Sequence, residues 1–315
     1  MKLITFNREG ISRTGAIVDG KVVDLNLAYR ALLESEGKIR ATQIAEAFVP
    51  ADMNGFLQGG QDSLNLATKA IDYALHKRKD DGYKLLFNVK DVKLEAPVPA
   101  PGKMICVGHN YREHILEMKR ELPPFPVVFA KFANTVVGPQ DDIPFYPVSE
   151  KLDYEAEFAF VIGKRARNVS QADALDYVAG YTIVNDVTYR DIQQRTLQWL
   201  QGKTVEGSAP MGPWLITTDE LTNPSGLEVV LTVNGEERQR SNTQNLVFSV
   251  QYLVEFLSNL MTLEPGDVIL TGTPGGVGFA RNPQVFLKDG DIVKIEIEKI
   301  GTLENRVKQF AEVLV

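Results

Sequence analysis

Glu155 and Glu157 stand two residues apart in the run Asp153-Tyr154-Glu155-Ala156-Glu157-Phe158-Ala159-Phe160-Val161-Ile162. An extended backbone sends both carboxylates to one face and Ala156, Phe158, Phe160 and Ile162 to the other, which is then core. Neighbouring carboxylates on an otherwise apolar strand repel each other, and inside a fold they need a cation or a partner. On this strand alone, a second face left in water accounts for the pair as well as a metal does. Asp186 adds a third carboxylate, because it ends the apolar run Tyr181-Thr182-Ile183-Val184-Asn185, where a side chain can point into a site at a sheet edge. Taken by itself, Asp186 reads more readily as a turn or capping residue. Together the three form an all-oxygen donor set suited to a hard octahedral ion, Mg²⁺ or Mn²⁺. Softer metals are disfavoured, since the chain has three His and one Cys in all.

Groups that can act on a ligand lie nearby in the chain. In Thr188-Tyr189-Arg190-Asp191-Ile192-Gln193, Thr188 as N-cap and Asp191 three residues on make a capping box, which predicts a helix start. Arg190 and Gln193 then share a helix face and can reach an anionic ligand above the metal, with plain surface solvation as the competing account. His114 and Glu117 have the same spacing, so on a helix the carboxylate can orient the imidazole as a general base for water. That spacing is also common on solvated helix faces. Pro123-Pro124-Phe125-Pro126 would end the helix and stiffen its exit, as a segment closing over a site requires. Lys131 and Lys203, each beside apolar residues or glycine, can bind a carboxylate. The run from Thr271 to Gly278 is Gly-rich but lacks the Gly-Lys-Ser/Thr ending of a phosphate loop, so it reads as a tight loop offering backbone N–H groups and the Thr273 hydroxyl.

The elements that must hold these groups are mostly strands. Extended patterns cover Glu155 to Ile162, Tyr181 to Asn185, Leu227 to Val233, Asp267 to Thr271 and Asp291 to Glu298, separated by turns at Asn234-Gly235, Pro265-Gly266 and Asp289-Gly290. One helix interrupts them, with Ser249 as N-cap and Val250, Leu253, Val254, Leu257 and Leu260 along one face. Residues 1–95 read as a small α+β unit with a hairpin turn at Asp19-Gly20 and helices near Leu25 to Glu34 and Ser63 to Lys79. Prolines 97, 99 and 101 make 96–102 a linker, and 103–315 the larger domain. The expected class is α+β and β-dominated, two packed or rolled sheets with a few covering helices.

At 315 residues and 44% hydrophobic content the chain can bury a substantial core without staples. Its net charge of -7 gives no general attraction to nucleic acid or anionic lipid, so neither is an expected partner. The N-terminus turns polar before a signal-peptide core forms, no window reaches a membrane-spanning length, and the lone Cys106 fits a reducing compartment; a cytoplasmic protein is expected.

In combination and in order, the motifs resemble those of the fumarylacetoacetate hydrolase family. The likeness runs from about Lys103 to about Asn305, through Val107-Gly108-His109-Asn110-Tyr111, Asp153-Tyr154-Glu155-Ala156-Glu157, Gly180 to Asp186, Arg190-Asp191-Ile192-Gln193 and Thr271 to Gly278. It implies a mixed β-roll catalytic domain with a smaller N-terminal domain, a homodimer, and Mg²⁺ or Mn²⁺ on Glu155, Glu157 and Asp186. It also implies a lid dyad of His114 and Glu117, and substrate contacts from Gln193 and Lys203. The family commonly carries Ala where this chain has Tyr189, a departure expected to reshape the pocket.

Residues and resemblance agree on a small anionic 2-oxo acid whose enolate is stabilised by the metal. Water delivered by His114 would give C–C hydrolysis of an acylpyruvate; loss of carbon dioxide would be oxaloacetate decarboxylation; a proton shift would be dienoate isomerisation. Hydrolysis is preferred, because the His114 and Glu117 pair supplies the base it needs. A non-catalytic metabolite-binding protein is disfavoured, since it would be free to lose that base.

Overall fold

The computed structural model describes residues 1–76 and 84–310. Its organising strand is Ala156–Ile162, which is buried on both faces. Ala156, Phe158, Phe160 and Ile162 enter one core, while Ala159 and Val161 enter a second on the other side. The sheet containing this strand therefore separates two cores, which is why its sequence carries no polar face apart from the two glutamates.

That strand pairs antiparallel with Val178–Asn185 and with Val268–Leu270, and Val268–Leu270 runs parallel to Met104–Gly108. Val178–Asn185 pairs in turn with Ala209–Thr217, which is joined by Lys2–Arg8 through Leu3↔Leu215. A twelve-stranded sheet thus runs without a break from the N-terminal hairpins to the strands of residues 103–308. The proline-rich stretch is packed as well, with Ala96 and Val98 buried in the second core.

A five-stranded sheet, in the order Glu236–Asn242, Glu228–Val233, Ile292–Ile297, Gly301–Gln309 and Ile143–Phe145, covers the first core. Val229, Leu231, Val293 and Ile295 from this sheet share a cluster with Phe158, Phe160 and Tyr181 of the large one. The hairpin expected at Asn234-Gly235 is present, both residues taking positive φ (52° and 80°) as a tight two-residue turn demands. The architecture is mixed and sheet-rich.

Helix Val250–Leu260 begins where the sequence places it, the Ser249 hydroxyl accepting the Tyr252 N–H at 3.3 Å. Its apolar stripe ends a turn earlier than expected: Leu253, Val254 and Leu257 are buried, but Leu260 is 59% exposed at the helix end. In the N-terminal segment, helix Leu25–Ser35 is capped by Asp24, and helix Gly60–His76 covers most of the stretch expected from Ser63; Lys77 to Lys79 lie outside the described residues. Helices Ala41–Phe48 and Met53–Gln58, which the sequence reading did not anticipate, complete the layer over the second core. Among the described residues no helix is long and apolar enough to cross a membrane.

Candidate metal centre

Strand register alone brings the acidic groups together. Ala156 pairs with Asn185, so Glu155 and Asp186 face each other one step beyond, where the Asp186 N–H donates to the Glu155 carbonyl at 2.9 Å. Glu157 returns to the same face two residues along. Oxygens from Glu155, Glu157 and Asp186 lie within 4.8 Å of one another, and all three residues are buried.

Three buried cations surround them. Lys203, on the one-turn helix Leu200–Lys203, donates to Asp186 Oδ2 at 2.6 Å and to Glu155 Oε2 at 2.9 Å. Arg190 places Nη1 2.7 Å from Glu155 Oε1 and donates through Nε to Asp153 Oδ2 at 2.7 Å. Lys131 puts Nζ 2.9 Å from Asp186 Oδ1, outside hydrogen-bond geometry, and donates to Ser208 Oγ at 3.1 Å.

The compensation is uneven. Burial works to raise the Glu155 carboxyl, yet Lys203 and Arg190 overcome it and hold the group at about 2. Burial, then the charges of Asp186 and Glu155, push Glu157 well above the carboxylate range. Lys203 and a Gly272 N–H donated to its Oε2 at 2.6 Å oppose that push without cancelling it. No lysine or arginine makes an ion pair with Glu157 among the described residues. Lysine and arginine can therefore explain two of the three carboxylates but not the third. A divalent cation on Glu157's side would relieve the remaining repulsion, and hard oxygen donors fit Mg²⁺ or Mn²⁺.

Above the triad opens a cavity of about 360 Å³, lined by His114, Glu155, Glu157, Arg190, Gln193, Lys203 and Thr273 among others. Asp186 lies fully buried beneath it, and Lys131, proposed from sequence to meet a ligand, lies deeper still with Asp186 as its carboxylate. His114, on the short helix Arg112–Glu117, sets Nδ1 3.4 Å from Glu117 Oε2. Glu117 in turn accepts the Gly276 N–H at 3.0 Å, so the dyad ties the helix to the glycine-rich loop.

Two expectations fail locally. Thr188 and Asp191 form no capping box: the Thr188 hydroxyl donates to the Asp186 carbonyl at 2.9 Å, Asp191 accepts from Ser149, and the helix spans only Arg190–Gln193. Arg190 and Gln193 still share a face, joined by an Arg190 Nη1 to Gln193 Oε1 bond of 3.2 Å. Tyr189 does not reshape the cavity, because its hydroxyl points away and donates to the Pro144 carbonyl at 2.9 Å.

Three supporting residues escaped the sequence reading. Asp153 accepts the Gly278 and Phe279 N–H groups and holds Arg190. Gln239 donates to Thr273 Oγ1 and the Pro274 carbonyl while accepting the Ala156 N–H, which locks the loop to the glutamate strand. Asn110 is fully buried and bonds to Phe248 and Thr271, anchoring the start of the lid segment. Asn110 and Asp153 carried a visible sign, their places inside the motifs before His114 and Glu155; Gln239 carried none.

The family model for the fumarylacetoacetate hydrolase C-terminal domain matches residues 103–308. The chain belongs to the fumarylacetoacetate hydrolase family. A fumarylacetoacetate hydrolase domain-containing protein 2 homolog of Dictyostelium discoideum is 40% identical over 98% of this chain and 97% of its own length. A mitochondrial oxaloacetate tautomerase of Xenopus laevis is 41% identical over 87% of the chain and 84% of its own. Among solved structures, a maleylpyruvate hydrolase from Sphingobium sp. SYK-6 in complex with manganese(II) and pyruvate superposes with a TM-score of 0.73 at 28% identity, covering 98% of this chain and 99% of that one. Relatives in this fumarylacetoacetate hydrolase group are thus enzymes, and at least one of the fold binds a divalent metal, as the buried acidic triad suggests for this chain.

Proposed function

We propose that this member of the family is a divalent-metal enzyme that interconverts the keto and enol forms of a small 2-oxo acid of the oxaloacetate type. The observation that carries the proposal is His114, an imidazole braced by Glu117 that opens onto the same cavity as Glu155, Glu157, Arg190 and Lys203. A cation held by Glu155, Glu157 and Asp186 would supply the positive charge that favours the enolate, which carries one more negative charge than the keto form.

The chain's own residues do the remainder. Arg190 Nη2 is buried with no hydrogen-bond partner among the described residues, so it can take the carboxylate beside the 2-oxo group, with Gln193 next to it. Lys203 helps to keep Glu155 ionised and holds both Glu155 and Asp186 in place. Since Nδ1 of His114 faces Glu117, Nε2 is the nitrogen left to take a proton from the carbon next to the 2-oxo group and to return it to oxygen or carbon.

The tautomerase name of a relative 41% identical to this chain supports this reaction over the others. Hydrolysis of an acylpyruvate is the second reading, favoured by the maleylpyruvate hydrolase that shares the fold over nearly the whole chain. It would use the same dyad to deprotonate water. The test follows the ultraviolet absorbance of enol-oxaloacetate with Mn²⁺ and with chelator, beside pyruvate release from acetylpyruvate. Metal-dependent loss of the enol signal is expected; acetylpyruvate cleavage with no effect on the enol would transfer the proposal to hydrolysis.

A further inference from the structure

The cavity holds a charged group that the scheme above does not use. Arg120 lines it, yet among the described residues Arg120 makes no ion pair with any carboxylate, in a chain of net charge -7. Its hydrogen bond goes to an imidazole: Nη1 lies 2.7 Å from His109 Nε2. A guanidinium can only donate, so His109 Nε2 must accept and the ring proton sits on Nδ1. Burial first and the Arg120 charge second lower His109 to about 4, which keeps it neutral near neutral pH. Its charge therefore does not add to that of Arg120.

His109 is also held in place. It takes a left-handed backbone conformation (φ 53°), its ring edge meets Trp199 at 5.4 Å between centroids, and its face stacks on His114 at 6.2 Å. A substituent on Gly108 would collide with the Trp199 ring at 2.6 Å, so the glycine lets that ring close against the segment. The sequence of groups along this wall is Arg120, His109, His114. Nδ1 of His109 is buried and has no hydrogen-bond partner among the described residues.

We infer that Arg120, presented by His109, is the subsite that takes the second carboxylate of an oxaloacetate-type acid and selects for it. One carboxylate and the 2-oxo group lie at the triad end with Arg190; the other lies against Arg120, and the carbon between them is within the reach of His114. The inference rests on the functional reading given above and adds to it the residue that selects for the second carboxylate. A monocarboxylate would leave the Arg120 charge without an anion in a partly enclosed cavity, so selectivity comes from the group that is absent as much as from the one that binds.

The test compares acids that differ at that end only. Calorimetric titration of the Mn²⁺-loaded protein would use 2-oxobutanoate, which carries a methyl group where oxaloacetate carries its second carboxylate, against oxaloacetate and the one-carbon-longer 2-oxoglutarate. Because Arg120 is exposed, a charge-assisted pair there is worth about a two- to tenfold tighter Kd. We expect that gain for at least one of the two dicarboxylates, its loss in Arg120→Gln, and its retention in Arg120→Lys; Arg120 is exposed at the cavity, so neither change disturbs the core. Binding of 2-oxobutanoate with no dicarboxylate advantage, or an advantage that survives in Arg120→Gln, would overturn the subsite and leave the 2-oxo acid reading intact. Absence of binding by all three acids would overturn both.

Discussion

The two ends of the cavity are built on opposite plans. At the triad end, Glu155, Glu157 and Asp186 come from adjacent strands of a sheet buried on both sides, and every neighbouring cation is held by two or more contacts. At the lid end, His109, His114, Glu117 and Arg120 belong to one stretch whose only regular element is the six-residue helix Arg112–Glu117. That helix is tied down by Glu113 to Ser241, Glu117 to Gly276 and the Tyr111↔Leu246 bridge. The carboxylates that would hold a cation sit on or beside buried strands; groups that must admit a substrate and move protons sit on a segment held by a few bonds.

Changes to the triad should show the largest effects, and they should divide. Asp186 lies between Lys131 and Lys203, so Asp186→Ala takes from buried Lys131 its only carboxylate among the described residues and from Lys203 one of two, and should cost about 3–5 kcal/mol of stability as well as metal binding. Glu157 carries the repulsion that no lysine offsets, so Glu157→Gln should lose Mn²⁺ affinity by more than the roughly 10- to 100-fold typical of outer-shell changes, yet leave the metal-free protein as stable as before or more so. Urea unfolding with and without Mn²⁺ reads both. In the unaltered protein, metal at roughly a hundred times its Kd should add about 2.7 kcal/mol. If Glu157→Gln destabilises the metal-free protein as much as Asp186→Ala does, the uneven compensation described for the triad is mistaken.

The lid end should respond in rate and not in affinity for metal. His114→Ala should slow proton transfer by about a hundred- to ten-thousandfold, with Glu117→Gln milder because it removes only the partner that orients the ring. Mn²⁺ affinity should stay as it was in both. Stopped-flow decay of enol-oxaloacetate beside Mn²⁺ titration makes the measurement, and a parallel fall in metal affinity would mean that the two ends are not independent.

The same contrast decides what the sequence reveals. Glu155 and Glu157 are legible because a two-residue period is local, and Asp186 because it closes an apolar run. Strands and the Ser249-capped helix follow from the same local signals. Gln239 and the bracing roles of Asp153 and Asn110 are not legible, since each bonds to backbone more than eighty residues away, as with Gln239 to Ala156 and Asp153 to Gly278. The capping box at Thr188 and Asp191 matches its pattern but loses to tertiary partners, the Asp186 carbonyl and Ser149. Lys131 shows the same limit: its type announces a carboxylate partner, but only the folded sheet shows that the partner is Asp186.

The smallest effect concerns pH and sharpens the picture of the lid end as a neutral imidazole beside a fixed positive charge. His109 is lowered from 6.5 to about 4, by burial first, then by Arg120 and His114, with Glu155 pulling the other way. The folded state thus favours the uncharged ring, and between about pH 6.5 and pH 4 the unfolded chain binds more protons at this position. Its contribution to stability is complete above pH 6.5 and falls as pH drops through that window. Asparagine tolerates the left-handed conformation His109 adopts and does not titrate, so His109→Asn removes the contribution without straining the backbone. Urea unfolding at pH 7 and pH 5 should show the unaltered protein losing more stability on acidification than the variant does. Arg120→Gln should shrink the difference, since it removes one of the charges holding the ring neutral. Equal losses in protein and variant would mean that His109 is free to protonate, and the lid end would then carry two positive charges where this account places one.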